Sequence, residues 1–522
     1  MPCLSGGFFP NTLRVSSMSC SAFPRLPIRA LCLSRDACWG ALCLLWIASL
    51  ALPATAQNPP GDRALPNGTS RVANDTVRVS LESTILQALR VSPDLKAQGA
   101  RRDAASARYQ EARASRFATR FNLNTAHSIA PSLDIPSSND RPNSELYLNP
   151  DVENDWQIQS LRPFNRFEVV LQQPLLTWGE LSGTIEAARH GADVEEASVK
   201  GERLSVAMRA GELYQNVLLT NALRSLTDEA ESLLRQARNE VETLLNEGST
   251  EVSEADLFKL DLAQDEFERR RTEVREQQAT ARAALSAQVA PATQVAVVPE
   301  AEALRPLPAQ LLQDSLSTYQ DDARRNRPEF QQAAAGLSAR EALVDVARSD
   351  YYPKLALQAS YGVSATPGRY RQDNAFIGDS YRGQSTRTGF GIRQNLNFYQ
   401  TRARVEQAEA QRAEVAYQRE AANAFIAVEV EEAYRAARIA QQRMQSLDKS
   451  VRTTREWLRT EQINFDLELG DPQDLVDAVQ ANLETRASYH EAVQRYNVAV
   501  LRLLRTAGTL PQQAERGTLV DP

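Results

Sequence analysis

YQTRARVEQAEAQRAEVAYQREAANAFIAVEVEEAYRAARIAQQRMQSLDKSVRTTREWLRTEQINFDLELGDPQDLVDAVQ, residues 399–480, is the stretch that decides the fold. From Tyr399 to Leu469 it holds no glycine and no proline. A helix over that run is roughly 100 Å long at about 1.5 Å per residue. Gly470-Asp471-Pro472 then breaks it, and a second helical pattern runs from Gln473 to about Arg505. Helices inside ordinary domains run about 8–20 residues. A rod of this length points to a coiled coil, a membrane-spanning machine or a helical repeat.

Working back from Tyr399, the same order of signals occurs twice. In the second half, Arg327-Pro328-Glu329-Phe330 opens a helix, with proline at its first turn. Leu355, Leu357, Ala359, Tyr361 and Val363 then alternate as a strand does. A loop carrying Pro367, Gly368, Gly378 and Gly383 leads to a second alternating run, Phe390, Ile392, Gln394 and Leu396. In the first half, Ser80 caps a helix with apolar Leu81, Ile85, Leu86 and Leu89. Ser92-Pro93-Asp94-Leu95 starts the next helix, which runs to about Phe117 with an alanine-rich inner side of Ala97, Ala100, Ala104, Ala105, Ala107 and Ala112. Phe121 to Ile129 alternates, residues 130–163 form a long loop, and Phe167 to Gln173 alternates again up to Pro174. A long helix from about Trp178 to Asn246, a turn at Glu247-Gly248-Ser249 and a helix from Val252 to about Gln288 complete the half. Gly470 answers Gly248, and Gln394-Asn395-Leu396 answers Gln173-Pro174-Leu175. Glycines 179, 183, 191, 201 and 211 each cost about 1 kcal/mol inside a helix, which close helix contact would offset. The alanine-rich run of Ala408, Ala410, Ala413, Ala416, Ala421, Ala422, Ala424 and Ala427 suits close packing or simply high helix propensity.

The predicted domain plan follows: 1–56 a signal peptide, 57–76 a flexible segment, 77–290 the first repeat, 291–312 a proline-rich connector, 313–508 the second repeat, 509–522 a tail. The leader carries Arg14, Arg25, Arg29 and Arg35, an apolar run from Cys38 to Leu52, and Ala54-Thr55-Ala56 before Gln57. A single membrane anchor over 37–56 is the alternative; the short apolar core and Pro53 favour the cleaved signal. The leader is long, and Met18 is an alternative start. All five cysteines lie within it, so the mature chain has no disulfide, thiolate ligand or cysteine nucleophile. After Ala56 the chain carries 55 basic and 65 acidic residues, a formal charge of −10, which argues against nucleic acid. No later segment has the ~18 apolar residues of a membrane helix, so membrane contact would fall to strands. Two strands per half make four, too few for a barrel, whose smallest members have eight; three copies would supply twelve.

No catalytic constellation is visible. His127, His190 and His490 are isolated, no phosphate-binding loop occurs, and no serine sits in a nucleophile elbow. Neither enzyme activity, metal nor cofactor is expected. Trp178 at the strand-to-helix join, and Tyr351-Tyr352 before the third strand, read either as membrane-interface aromatics or as packing residues. Acidic residues gather at both hairpin turns: Glu247, Glu251, Glu254 and Asp256 at one, Glu468, Asp471, Asp474 and Asp477 at the other. They read as a negative constriction favouring cations, or as solvated tips stabilised by helix dipoles.

Three motifs, in order, carry a resemblance: Leu86-x-x-Leu89-x-x-x-Pro93-Asp94-Leu95; Gln173-Pro174-Leu175; and Tyr489-x-x-Ala492-x-x-x-Tyr496-Asn497-x-Ala499-x-x-x-Leu503-x-x-x-Ala507-Gly508. Together, over nearly the whole mature chain, they resemble the TolC-like outer membrane factor family. The resemblance implies a mainly α fold with a small β part. It implies a homotrimer with a twelve-stranded outer-membrane barrel and a helical tunnel across the periplasm. A periplasmic adaptor and an inner-membrane pump are the implied partners, and a passive efflux or type I secretion duct the implied function. It also implies a periplasmic gate at the hairpin tips, around Gly248, Gly470 and Pro472. Asp477 falls on the family's first acidic gate position; the second is Gln480, a departure that puts a double carboxylate ring in doubt. Asp471, Asp474, Glu251 and Glu254 are the further pore candidates. A periplasmic adaptor or structural coiled-coil protein is the alternative function, though an adaptor would carry one hairpin and not two in tandem.

Overall fold

The computed structural model describes residues 77–117, 120–133, 154–247, 252–290, 296–370, 378–467 and 472–520. The expected signal peptide and flexible segment, and the turn glycines Gly248 and Gly470, lie outside these residues.

The first half runs β1 (Val77–Val79), α1 (Leu81–Val91), α2 (Pro93–Ala114), β2 (Arg120–Ala130), β3 (Ser132–Leu133), β4 (Asn154–Asp155), β5 (Arg162–Leu176), α3 (Glu180–Asn246) and α4 (Glu254–Val289). The second runs β6 (Val297–Pro299), α5 (Leu316–Asn326), α6 (Pro328–Ser349), β7 (Lys354–Ala365), β8 (Gly383–Arg393), α7 (Phe398–Asp466), α8 (Pro472–Thr506) and α9 (Leu510–Arg516). Ser80 caps α1 by accepting from the Ser83 N–H at 3.1 Å. Ser92 caps α2, and Pro93 and Pro328 open α2 and α6. The strand-to-helix joins are alike. The Gln173 amide donates to the Arg116 carbonyl and the Gln394 amide to the Tyr351 carbonyl, each just past the helix that precedes its hairpin.

β2, β5, β7 and β8 form one antiparallel sheet in that order. The rods line up in the matching order, α2 against α3, α3 against α6, α6 against α7. Farther from the sheet, α4 and α8 take up the places beside α3 and α7, and α8 also packs on α3. Two long-helix glycines mark close approach. A Cβ on Gly183 would sit 2.9 Å from the Ala342 carbonyl oxygen, and one on Gly211 would sit 2.9 Å from Leu501 Cδ1. Gly191 faces open space, so close contact does not account for every glycine in the series.

Several expectations are corrected. The proline-rich stretch 291–312 holds β6, which pairs in parallel with β1 and so ties the start of one half to the start of the other. The tail holds α9, and Leu510, Ala514 and Leu519 are buried in the main core with Val206, Val217, Tyr496 and Leu501. β8 begins at Gly383 and stops at Arg393, short of Leu396, while β5 carries on through Pro174 by a register shift before Leu176. The supposed inner side of α2 has no buried residue: Ala97, Ala100, Ala104 and Ala107 are exposed.

Asn497 is fully buried on α8 and ties the connector to the core. Its amide donates to Gln215 Oε1 and the Arg305 carbonyl, each at 2.9 Å, and its oxygen accepts from the Leu307 N–H at 2.8 Å. Burial among the same helices pushes the Tyr214 hydroxyl up to about 12.

Candidate functional site: a two-faced sheet and a charged hairpin tip

Register, combined with the period of two, sorts the sheet into two faces. One face stacks Leu355 beside Ile392, Leu357 beside Phe390, Phe121-Leu171-Ala359-Thr388, Leu123-Val169-Tyr361-Thr386 and Thr125-Phe167-Val363-Gln384. None of its residues is Asp, Glu, Lys or Arg. Phe121, Leu123, Phe390 and Ile392 stand more than half exposed, with no protein against them in the single chain. The rows from Leu355 to Val363 span about 27 Å along the strand at ~3.4 Å per residue, close to the ~25 Å apolar band of a tilted barrel wall. The opposite face carries Arg120, Asn122, Asn124, Glu168, Gln172, Gln358, Ser360, Ser385 and Arg387. Among the described residues no helix is long and apolar enough to cross a membrane.

Where the sheet meets the rods, Trp178 is nearly half exposed and has a positive φ of 51°, unusual for a bulky side chain. Its ring stacks on Tyr352 at 5.1 Å, and its indole N–H donates to the Pro353 carbonyl at 2.8 Å. Gly179 follows at φ +98°. The same level holds a network that crosses the halves: Lys354 lies 2.8 Å from Glu180 and 2.7 Å from Asp350, which also meets Arg404 at 2.8 Å. At the far end of the sheet Arg369 joins the two strand-connecting loops. It donates to the Pro131 carbonyl and, at 2.8 Å, to Asn154, faces Asp379 at 3.3 Å, and lies over the Tyr381 ring.

At the opposite end, α8 packs its apolar side onto the first hairpin. Val476 lies against the cluster of Leu234, Val241, Val252 and Leu260, and Val479 against Leu226, Ala230 and Leu483. Asp474, Asp477 and Gln480 therefore fall on the exposed side of α8, and Gln480 donates to Glu484 at 3.1 Å. Glu254 is exposed at the start of α4, and Pro472 is the first residue of α8. Asp471 and Glu251 lie outside the described residues, as do the two turn glycines. Further up, Arg486 on α8 grips Glu229 on α3 through paired contacts of 2.7 and 2.9 Å, and that hydrogen bonding holds the Glu229 carboxyl below its ordinary range. One turn on, burial, with the Arg486 charge nearby, lowers the His490 pKa. No group of described His, Cys, Asp and Glu residues has the arrangement of a metal site.

Nothing local in the sequence marks the Arg369 junction, the Arg486–Glu229 grip or the bridging role of Asn497. Asn497 stood in the closing motif, and Arg327 stood at the cap position that Ser92 fills in the first half. Arg327 is buried, and its charge is held by Glu329 at 2.7 Å and Glu429 at 2.6 Å.

Residues 320–509, from within α5 to just past α8, match the family described as outer membrane efflux protein. No curated protein matches the chain significantly. Solved structures do. The outer-membrane channel OprN is 17% identical with a TM-score of 0.64, over 87% of this chain and 98% of that one. The outer membrane protein VceC of Vibrio cholerae is 19% identical with a TM-score of 0.62, over 82% and 96%. The outer membrane channel CmeC of Campylobacter jejuni is 15% identical with a TM-score of 0.64, over 89% and 98%. At these identities the likeness is one of fold.

Proposed function

We propose that this chain, whose residues 320–509 match the outer membrane efflux protein family, is a TolC-like outer membrane channel reaching into the periplasm and the passive trimeric duct of a tripartite efflux or type I secretion assembly. The observation that carries the proposal is the two-faced, four-stranded sheet with both edges open. In a membrane every strand edge must be paired, so β8 of one copy would pair with β2 of the next and three copies would close a barrel. The helix edges agree. α2 leaves Ala97, Ala100, Ala104 and Ala107 exposed, and α7 leaves Tyr417, Phe425 and Val428 exposed on the other flank. Small residues against large ones permit close helix approach between copies. The duct does no covalent chemistry; a pump in the inner membrane drives the cargo, and an adaptor contacts the hairpins. Asp477 and Asp474 face the pore at the closed tip and favour cations there, with Gln480 in place of a second carboxylate ring.

The test is conductance of the purified mature protein in a planar bilayer, together with its mass in detergent. A trimer with discrete openings is the expected result. A water-soluble monomer without conductance would replace the duct with a periplasmic adaptor.

A further inference from the structure

We propose that the outer-membrane section of the lumen is an arginine-lined, anion-attracting wall, opposite in sign to the hairpin tip, so that the cargo class it passes includes anionic compounds. The inference rests on the duct reading, because only a closed barrel turns the polar face of the sheet into a lumen.

The register brings the charges together. On the polar face lie Arg162 and Arg166 toward the loops, Arg387 near the middle, Arg120 below it, and Arg393 beside Lys354 at the helix end. The sole acid in the described rows of that face is Glu168, which meets Arg166 at 3.5 Å. Lys354 is occupied by Glu180 and Asp350. Arg120, Arg387 and Arg393 are exposed and have no carboxylate partner among the described residues. The other positions on this face are small or neutral: Asn122, Asn124, Ser360, Gly362, Ser385, Gly389 and Gly391. A concavity of about 490 Å³ there takes Arg387, Gln358, Gln172 and Ser360 into its lining.

Chance placement is a poor account of this pattern. The chain as a whole is acidic, with 66 acidic against 59 basic residues, yet this face reverses the sign. The outward face excludes both signs altogether. Guanidinium groups repeated at several heights along a low-dielectric wall raise the local concentration of anions and lower that of cations. Rings of Arg or Lys are the general basis of anion preference in pores. Guanidinium also pairs bidentately with carboxylate and phosphate, so oxyanions are the class favoured over chloride. The tip, where Asp474 and Asp477 gather, is the opposite pole of the same duct.

The test uses the full mature protein in planar bilayers under a KCl gradient, with tripolyphosphate added from either side. The comparison is with R120Q/R387Q/R393Q, its assembly checked by trimer mass in detergent. Neutralising the three arginines should lower the chloride-to-potassium permeability ratio by about threefold or more. Tripolyphosphate should block the parent channel from the loop side, and the variant should need a roughly tenfold higher concentration. If the triple variant does not assemble, R387Q alone, in mid-strand, should shift both readings in the same direction. A conducting channel whose permeability ratio and block are unchanged by the substitutions overturns the inference and leaves the duct standing. A trimer that never conducts removes the duct, and the inference with it.

Discussion

Asn497 is buried with both ends of its amide satisfied, and it reaches three segments at once: α3 through Gln215 and the connector through Arg305 and Leu307. Asn497→Leu keeps the branched outline, overfills the site and strands those partners, so it should lower stability by roughly 2–4 kcal/mol, read as a fall in the unfolding midpoint of the detergent-solubilised protein. Gly179 is a purer backbone case. A Cβ there would meet nothing within 4 Å, but φ is +98°. Gly179→Ala should therefore cost about 1–2 kcal/mol through conformation alone, again read in the unfolding midpoint. At the tip, Asp477→Ala should weaken cation preference in single-channel recordings; unchanged selectivity would remove that side chain from the gate. His490 supplies a pH dependence. Burial lowers its folded pKa from the ordinary 6.5, so the unfolded chain takes up the proton first. Its contribution to stability is full above pH 6.5 and is lost as pH falls from there through the folded pKa. The unfolding midpoint should drop more steeply between pH 7 and 5 in the parent than in His490→Asn.

The elements explain how a single chain would prepare one-third of the proposed closed wall. α3 is the hub: it packs on α2 and α4 of its own half and on α6 and α8 of the other. Its contact with α8 near the tip depends on the apolar residues Val479 and Leu483 and on the Arg486–Glu229 pair. This pair fixes one hairpin against the other close to the proposed gate. Arg486→Ala should loosen the second hairpin and raise conductance and open probability in the bilayer, without changing trimer mass. Unaltered gating would make the pair a surface feature with little weight, as many exposed ion pairs are. The helix lengths, the caps at Ser80 and Ser92 and the prolines at Pro93 and Pro328 were legible in sequence, because each is set within one or two turns. β1, β6 and α9 were not. Three-residue strands have no measurable period, and nothing local tells a C-terminal segment such as Leu510–Arg516 that a core awaits it.

The whole molecule has two open flanks, α2 with β2 and α7 with β8, and one continuous apolar face. Phe425, exposed in mid-α7, tests the flank. Phe425→Arg should leave the single-chain core intact while shifting detergent mass from trimer to monomer; a trimer of normal stability would place the copy-to-copy contact elsewhere. The candidate site was half legible at this scale. The proposed acidic tip can be read from sequence because its carboxylates are neighbours in the chain. The proposed arginine wall was not, since Arg120, Arg166, Arg387 and Arg393 come from three strands in two halves.

What the sequence by itself determined is periodic and local: proline-free rods of a stated length, strands of period two, their duplication, and acids at the two turns. Period two also determined which residues of one strand share a face. The tertiary structure alone decided the strand order β2-β5-β7-β8, the register between the strands and the rod order that follows from it. The physical reason is that register is a non-local choice. A one-residue slip between two strands would turn the whole apolar set of one of them to the other face, so the pairing that keeps the apolar rows of both halves on one side is settled only when the strands meet. That same choice sets the arginines on the opposite face.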